Sequence, residues 1–180
     1  MAFAIELYFD IGSDYKIRAA WSELLAAGLP AWPLKIGARP HVSILVVDSA
    51  SAKSVDLVFR SVRPAAPFRL DFRSADYFGV DDSVLFLKPD DSAELHDLHR
   101  RAAAEARSRG LVPRHEGDEW LAHCTCDYSL SKDQVSRGLS ILKRFLPLQV
   151  SIEQEGYVEV TPQSVRQIDT AAIVINSEAG

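Results

Sequence analysis

This sequence predicts two copies of one strand–helix–strand–helix–strand unit, followed by a closing strand. Three observations predict it. Segments that alternate apolar and polar residues take turns with segments whose apolar residues recur every three or four positions. Gly28-Leu29 returns as Gly110-Leu111, and His41-x-Ser43 returns as His123-x-Thr125, both at a shift of 82. The elements around these pairs also come in the same order in each half, the mark of an internal duplication.

The elements follow in chain order. Residues 2–10 alternate like a strand. Residues 14–27 put Ile17, Trp21, Leu24 and Leu25 on one helical face, and Gly28 and Pro30 end that helix. "RPHVSILVV", within 39–48, is a β-branched strand. Ser51 to Val62 reads as a helix facing inward through Val55, Val58, Phe59 and Val62; 67–74 and 83–88 read as strands. Residues 91–109 form a helix capped by Asp91 or Ser92, with Leu95, Leu98, Ala102 and Ala106 inward. Residues 121–128, containing "LAHCTCD", are a strand. Ser131 and Gln134 make a capping box for a helix bearing Val135, Leu139, Leu142 and Phe145. Residues 148–161 and 165–175 form a hairpin turned near Pro162. The whole chain, 1–180, is then one domain of two pseudo-symmetric lobes, with a first repeat over about 2–75, a second over about 83–161 and a closing strand over 165–175.

Composition narrows the function. The 180 residues are 47% hydrophobic, enough for one core. A net charge of −5 argues against an extended nucleic-acid surface but leaves room for a small phosphate pocket. No apolar run approaches the roughly 18–20 residues of a membrane span. The start, "MAFAIELYFD", reads as a strand and not as a signal peptide, so a soluble, cytoplasmic protein is expected. Cys124 and Cys126 lie two apart in one strand, too far for a disulfide if extended and too few for a structural zinc site. Two buried free thiols are expected, as in a reducing compartment.

The repeated pair carries the chemistry. Side chains two apart in a strand share a face, so His41 sits beside Ser43 and His123 beside Thr125. Packed about a pseudo-twofold axis, the two units can set these pairs across one groove. Displacement at phosphorus needs a proton taken from the attacking oxygen and one given to the leaving oxygen. Imidazole does either near neutral pH. Hydroxyls can hold the non-bridging oxygens without a metal.

At these residues the sequence resembles the two-histidine (2H) phosphoesterase superfamily, whose mark is two H-x-[ST] motifs in apolar flanks about 80 residues apart. Here they stand as "PHVSILV" and "AHCTCDY"; "DYFGVDDSVLFLKP" and "LHDLH" resemble the segment between the motifs. The resemblance spans nearly the whole chain. It implies a bilobal α+β fold, with antiparallel sheets lining a central cleft and helices outside. It implies cofactor-free and metal-free chemistry on 2′,3′-cyclic phosphates or 2′-5′ linkages of a nucleotide or RNA terminus. It implies that His41 and His123 are the general acid and base, in an order left open, and that Ser43 and Thr125 bind phosphate. The alternative is a non-catalytic module that binds a nucleotide or RNA end in the same cleft.

Other residues carry weaker signals. Arg39 is a candidate substrate contact, and Lys35 and Arg114 lie in the loops before the motif strands. Trp32, Tyr77, Phe78, Trp120 and Tyr128 can stack on a base or pack in the core or rim. His96 and His99 sit on one helical face, as a helix-surface and a helix-edge histidine or as half a metal site. His115 reads as a loop residue.

Overall fold

A computed structural model describes residues 1–48, 50–80 and 82–174, apart from the side chain of Asp118. The strands are β1 (Ala2–Phe9), β2 (His41–Asp48), β3 (Phe68–Phe78), β4 (Ser83–Pro89), β5 (Cys124–Leu130), β6 (Leu148–Val160) and β7 (Val165–Ala172). The helices are α1 (Ile11–Ala26), α2 (Trp32–Lys35), α3 (Ala52–Ser61), α4 (Ala93–Ser108) and α5 (Lys132–Leu142). All six strand pairings are antiparallel, in the order β2-β1-β6-β3-β4-β5, with β7 paired to β6. Exchanging β1 with β4, β2 with β5 and β3 with β6 turns this order into its own reverse. The architecture is α+β, as the sequence predicts.

The ends of the order, β2 and β5, lie against each other, so the sheet curls and brings the two motif strands together. One continuous core fills the space behind them, from Phe3, Ile5 and Leu7 through Trp21 and Leu24 to Leu85, Leu87 and Cys126. Burial of this apolar surface is the main stabilising term.

The Gly-Leu repeat has a local cause. Gly28 and Gly110 follow α1 and α4 with φ of +80° and +73°, where a Cβ is disfavoured. Gly28 N–H donates to Leu25 O and Leu29 N–H to Leu24 O; Gly110 and Leu111 donate in the same pattern to Arg107 and Ala106. Each pair satisfies the helix's last carbonyls and drops a leucine onto the core.

Several expectations shift. Helix α1 begins at Ile11, not residue 14, because Asp10 caps it by accepting from Ser13 N–H at 2.9 Å. The cap of α4 is Ser92, not Asp91. The capping box of α5 is present with both bonds. Both motif strands begin later than predicted, at His41 and at Cys124, so His123 lies just before its strand. In both places the carbonyl two residues before the histidine accepts from its ring. The short α2 went unpredicted, being only four residues long. The expected last strand ends at Ala172, and its predicted final position, 175, lies outside the described residues. Cys124 and Cys126 are free and buried. Burial pushes Cys124 up to about 12 and Cys126 well above the ordinary thiol value, so both stay protonated.

Candidate functional site

A groove of about 690 Å³ opens between β2 and β5, and His41, Ser43, His123 and Thr125 all line it. That volume suits a nucleotide-sized ligand. Val42, Ile44, Cys124 and Cys126 are fully buried, so the strand pleat separates groove face from core face. A second groove of about 730 Å³, between residues 71–75 and 143–149, holds none of the four.

Each histidine is held in the same way. His41 Nδ1 lies 2.6 Å from Arg39 O, and His123 Nδ1 lies 2.7 Å from Leu121 O. A carbonyl oxygen only accepts, so Nδ1 carries the proton in both rings and Nε2 is left for chemistry.

Their surroundings differ. His41 Nε2 lies 3.3 Å from Oε1 of Glu6, a β1 residue whose side chain is 4% exposed. Burial raises the Glu6 carboxyl above its ordinary value, against the lowering pull of His41, the Tyr8 hydrogen bond and Arg39. The His123 ring instead packs against Phe86 and Phe78, with centroids 5.2 and 5.5 Å away. Burial lowers its pKa below the histidine norm, the Leu121 carbonyl works the other way, and His41 and His115 add to the lowering.

Neighbouring residues build the walls. Asp127, fully buried, accepts from the N–H groups of Ala31 (2.8 Å), Trp32 (3.0 Å) and Tyr128 (3.0 Å). These bonds fasten α2 to β5, and Trp32 stacks on Tyr128 at 5.5 Å. Tyr128 lines the groove, while Lys35 lies over the Trp32 ring at 5.1 Å. At the mouth, Arg114 holds Asp48 in a two-pronged pair (2.6 and 3.1 Å), with exposed His115 beside it.

Arg39 is placed differently from the four motif residues. Its guanidinium lies 4.0 Å from the Tyr8 ring centroid and donates to Gln154 Oε1 at 3.2 Å, and it is not among the groove-lining residues. His99, of the pair read as a helix-surface and a helix-edge histidine, is buried. Its ring stacks on Trp120 at 4.1 Å, and its Nδ1 reaches Ile44 O at 2.9 Å. His96 pairs with Asp91 at 2.8 Å. Among the described residues no His/Cys/Asp/Glu cluster of metal-site geometry forms. Tyr77 is exposed, and Phe78 and Trp120 line the groove. Glu6 and Asp127 escaped the sequence reading; the signal for each was a lone carboxylate inside an apolar strand run.

Two histidine–hydroxyl pairs thus line one groove on the curled antiparallel sheet of an α+β protein. The 2′-5′ RNA ligase superfamily model matches residues 13–155, and the chain belongs to that family. No curated protein matches it in sequence. Solved structures share the fold at low identity. Escherichia coli LigT complexed with 3′-AMP gives a TM-score of 0.62 at 14% identity, covering 95% of this chain and 97% of that one. The PDE domain of MHV ns2 gives 0.54 at 18% identity, covering 96% and 100%. A protein described only as a phosphoesterase gives 0.62 at 10% identity, covering 96% and 97%.

Proposed function

We propose that this protein is a metal-independent phosphodiesterase that opens a 2′,3′-cyclic phosphate, or cleaves a 2′-5′ linkage, at a nucleotide or RNA end. One observation carries the reading: two imidazoles, each with Nδ1 fixed on a carbonyl, share one groove with two hydroxyls. One Nε2 takes a proton from the attacking water while the other gives one to the leaving ribose oxygen. Ser43 and Thr125 donate to the non-bridging phosphate oxygens, where negative charge gathers. Arg39 assists as a positive charge beside Glu6, not as a direct phosphate contact. E. coli LigT was solved with 3′-AMP, and a nucleotide ligand fits this groove's size as well. The two lobes of the reading are residues 2–75 and 83–161, each supplying one histidine and one hydroxyl.

The test is hydrolysis of 2′,3′-cyclic nucleotides in EDTA by the unaltered protein, His41→Ala and His123→Ala. Turnover by the first and loss in both variants supports the mechanism; activity surviving both substitutions refutes it. Tight nucleotide binding without turnover would make the groove a binding module instead.

A further inference from the structure

The two motif strands have partners at matching places. On one side Ser43 is paired across the ladder with Glu6 of β1; on the other Thr125 is paired with Phe86 of β4. The same seat therefore holds a carboxyl in one half and an aromatic ring in the other.

Glu6 is the end of a chain of hydrogen bonds. Tyr8 Oη lies 2.9 Å from both Glu6 Oε2 and Gln167 Oε1. The Gln167 amide orientation is fixed, because its Nε2 donates to two carbonyls, Tyr157 O at 3.1 Å and Asp169 O at 2.6 Å. Its Oε1 can then only accept, so the Tyr8 hydroxyl sits between two acceptors, Gln167 Oε1 and Glu6 Oε2. The Tyr8 hydroxyl donates to Glu6 Oε2 and so holds that oxygen on the Tyr8 side. Glu6 Oε1, the oxygen facing His41, is left with lone pairs only. Gly156, paired with Glu6 on β6, makes the approach possible. A Cβ there would lie 2.8 Å from both Tyr8 Cε2 and Gln167 Nε2.

We propose that Glu6 is a positioning residue: the chain Gln167–Tyr8–Glu6 turns an acceptor oxygen toward His41 Nε2, so that His41 holds a proton there and is the acid of the pair. The assignment rests on the two-histidine reading above. His123 Nε2, facing rings that accept no such bond, is then the base. As water's oxygen bonds to phosphorus, its proton passes to His123 Nε2. The bond from phosphorus to the leaving ribose oxygen breaks, and that oxygen takes the proton from His41 Nε2. The titratable groups facing Glu6 are His41, Tyr8, Arg39 and, from β5, Cys124. Those facing His123 are His41 and His115. Burial raises the Glu6 carboxyl, against the lowering pull of His41, the Tyr8 hydrogen bond and Arg39, and it also raises the Tyr8 phenol.

Side-chain nitrogen NMR at about pH 6.5, the ordinary histidine midpoint, reads the proton directly. His41 is expected to show N–H at both nitrogens and His123 at Nδ1 alone. Glu6→Leu should strip the Nε2 proton from His41. Glu6→Gln should keep it, because the amide offers its carbonyl to His41 and its N–H to Tyr8. Tyr8→Phe cuts the chain at its middle and repeats the test without changing Glu6. A Leu variant with the unaltered His41 spectrum, or a Gln variant as deficient as the Leu one, overturns the proposal.

Turnover separates this proposal from the reading beneath it. On a 2′,3′-cyclic nucleotide, Glu6→Leu should lose about tenfold or more in kcat, with Glu6→Gln restoring most of it. On bis(para-nitrophenyl) phosphate, whose leaving group needs no acid, the loss should nearly vanish. Equal losses on both substrates overturn the role of Glu6. An unaltered protein that turns over neither refutes the phosphodiesterase reading, and the nitrogen spectra then decide Glu6 by themselves.

Discussion

In the first half of the chain the motif histidine meets a buried carboxyl 3.3 Å away; in the second it meets two phenyl rings. Both halves use one backbone device to fix Nδ1, and both place a hydroxyl two residues on. At the matching ladder position the difference is Glu6 against Phe86, and Phe78 of β3 adds a second ring beside His123. An acid–base pair needs one ring charged and the other neutral at the same pH. Two equal rings would each be in the right state only part of the time. The two motif strands share their geometry, and on the proposal above the different neighbours, Glu6 and Phe86, make the two rings unequal.

The sharpest way to break the comparison is to remove each ring in turn. His41→Ala and His123→Ala should each lower kcat on a cyclic nucleotide by about 10²–10⁴-fold. They should part on an aryl phosphodiester, where only the His123 variant keeps its full loss. Equal behaviour in stopped-flow or steady-state assays on both substrates would mean the rings are interchangeable.

A second inequality is Asp127, which stands at the repeat shift from Leu45. Asp127→Ala strands the N–H groups of Ala31 and Trp32, one of them buried, and should destabilise the fold by about 2–4 kcal/mol. Thermal unfolding measures this; a change within error would show that water replaces the clasp. Gly156→Ala should cost about 1–3 kcal/mol, because its Cβ would press on Tyr8, Gln167 and the Asp169 carbonyl. If Glu6 positions the acid as proposed, the same variant should lower kcat more than it raises KM.

The smallest effect concerns Phe78, 42% exposed at the groove. Burial lowers the His123 pKa, so the base limb of the pH–rate profile should rise below the usual histidine range of about 6.5. Phe78→Ala admits water and should move that limb upward, costing less than about tenfold at neutral pH. The stability sign agrees. A histidine lowered on folding contributes fully above its unfolded value near 6.5, and its contribution is lost as pH falls through the folded value. Buried His99 is lowered in the same sense. Melting followed between about pH 7 and 5 should show the fall, shallower in Phe78→Ala.

The four groove-lining residues of the candidate site were legible because they are polar interruptions of strand patterns, and the repeated motif marks them twice. The Gly-Leu pairs were legible as punctuation, and the structure explains them as helix ends. Glu6 was hidden by β1 itself. All eight of its residues are buried between β2 and β6, even Ala2, Ala4 and Glu6 at the groove, so no exposed face set off a polar position. Asp127 was hidden because its partners are backbone groups 95 and 96 positions away. The burial of His99 was hidden because helix periodicity cannot show which strand edge a helix lies beside.

That strand edge has a consequence for how the molecule behaves in a crowd. β2 ends the sheet, and an uncovered end strand is an open template on which another chain can pair. Trp120 donates its indole N–H to Ser43 O at 3.3 Å, His99 reaches Ile44 O, and the Arg114 N–H donates to Val46 O. The outer carbonyls of the motif strand are thus spoken for by side chains and a loop. The rings that wall the groove also blunt the edge, so their loss would expose the protein to self-association as well as unshape its pocket.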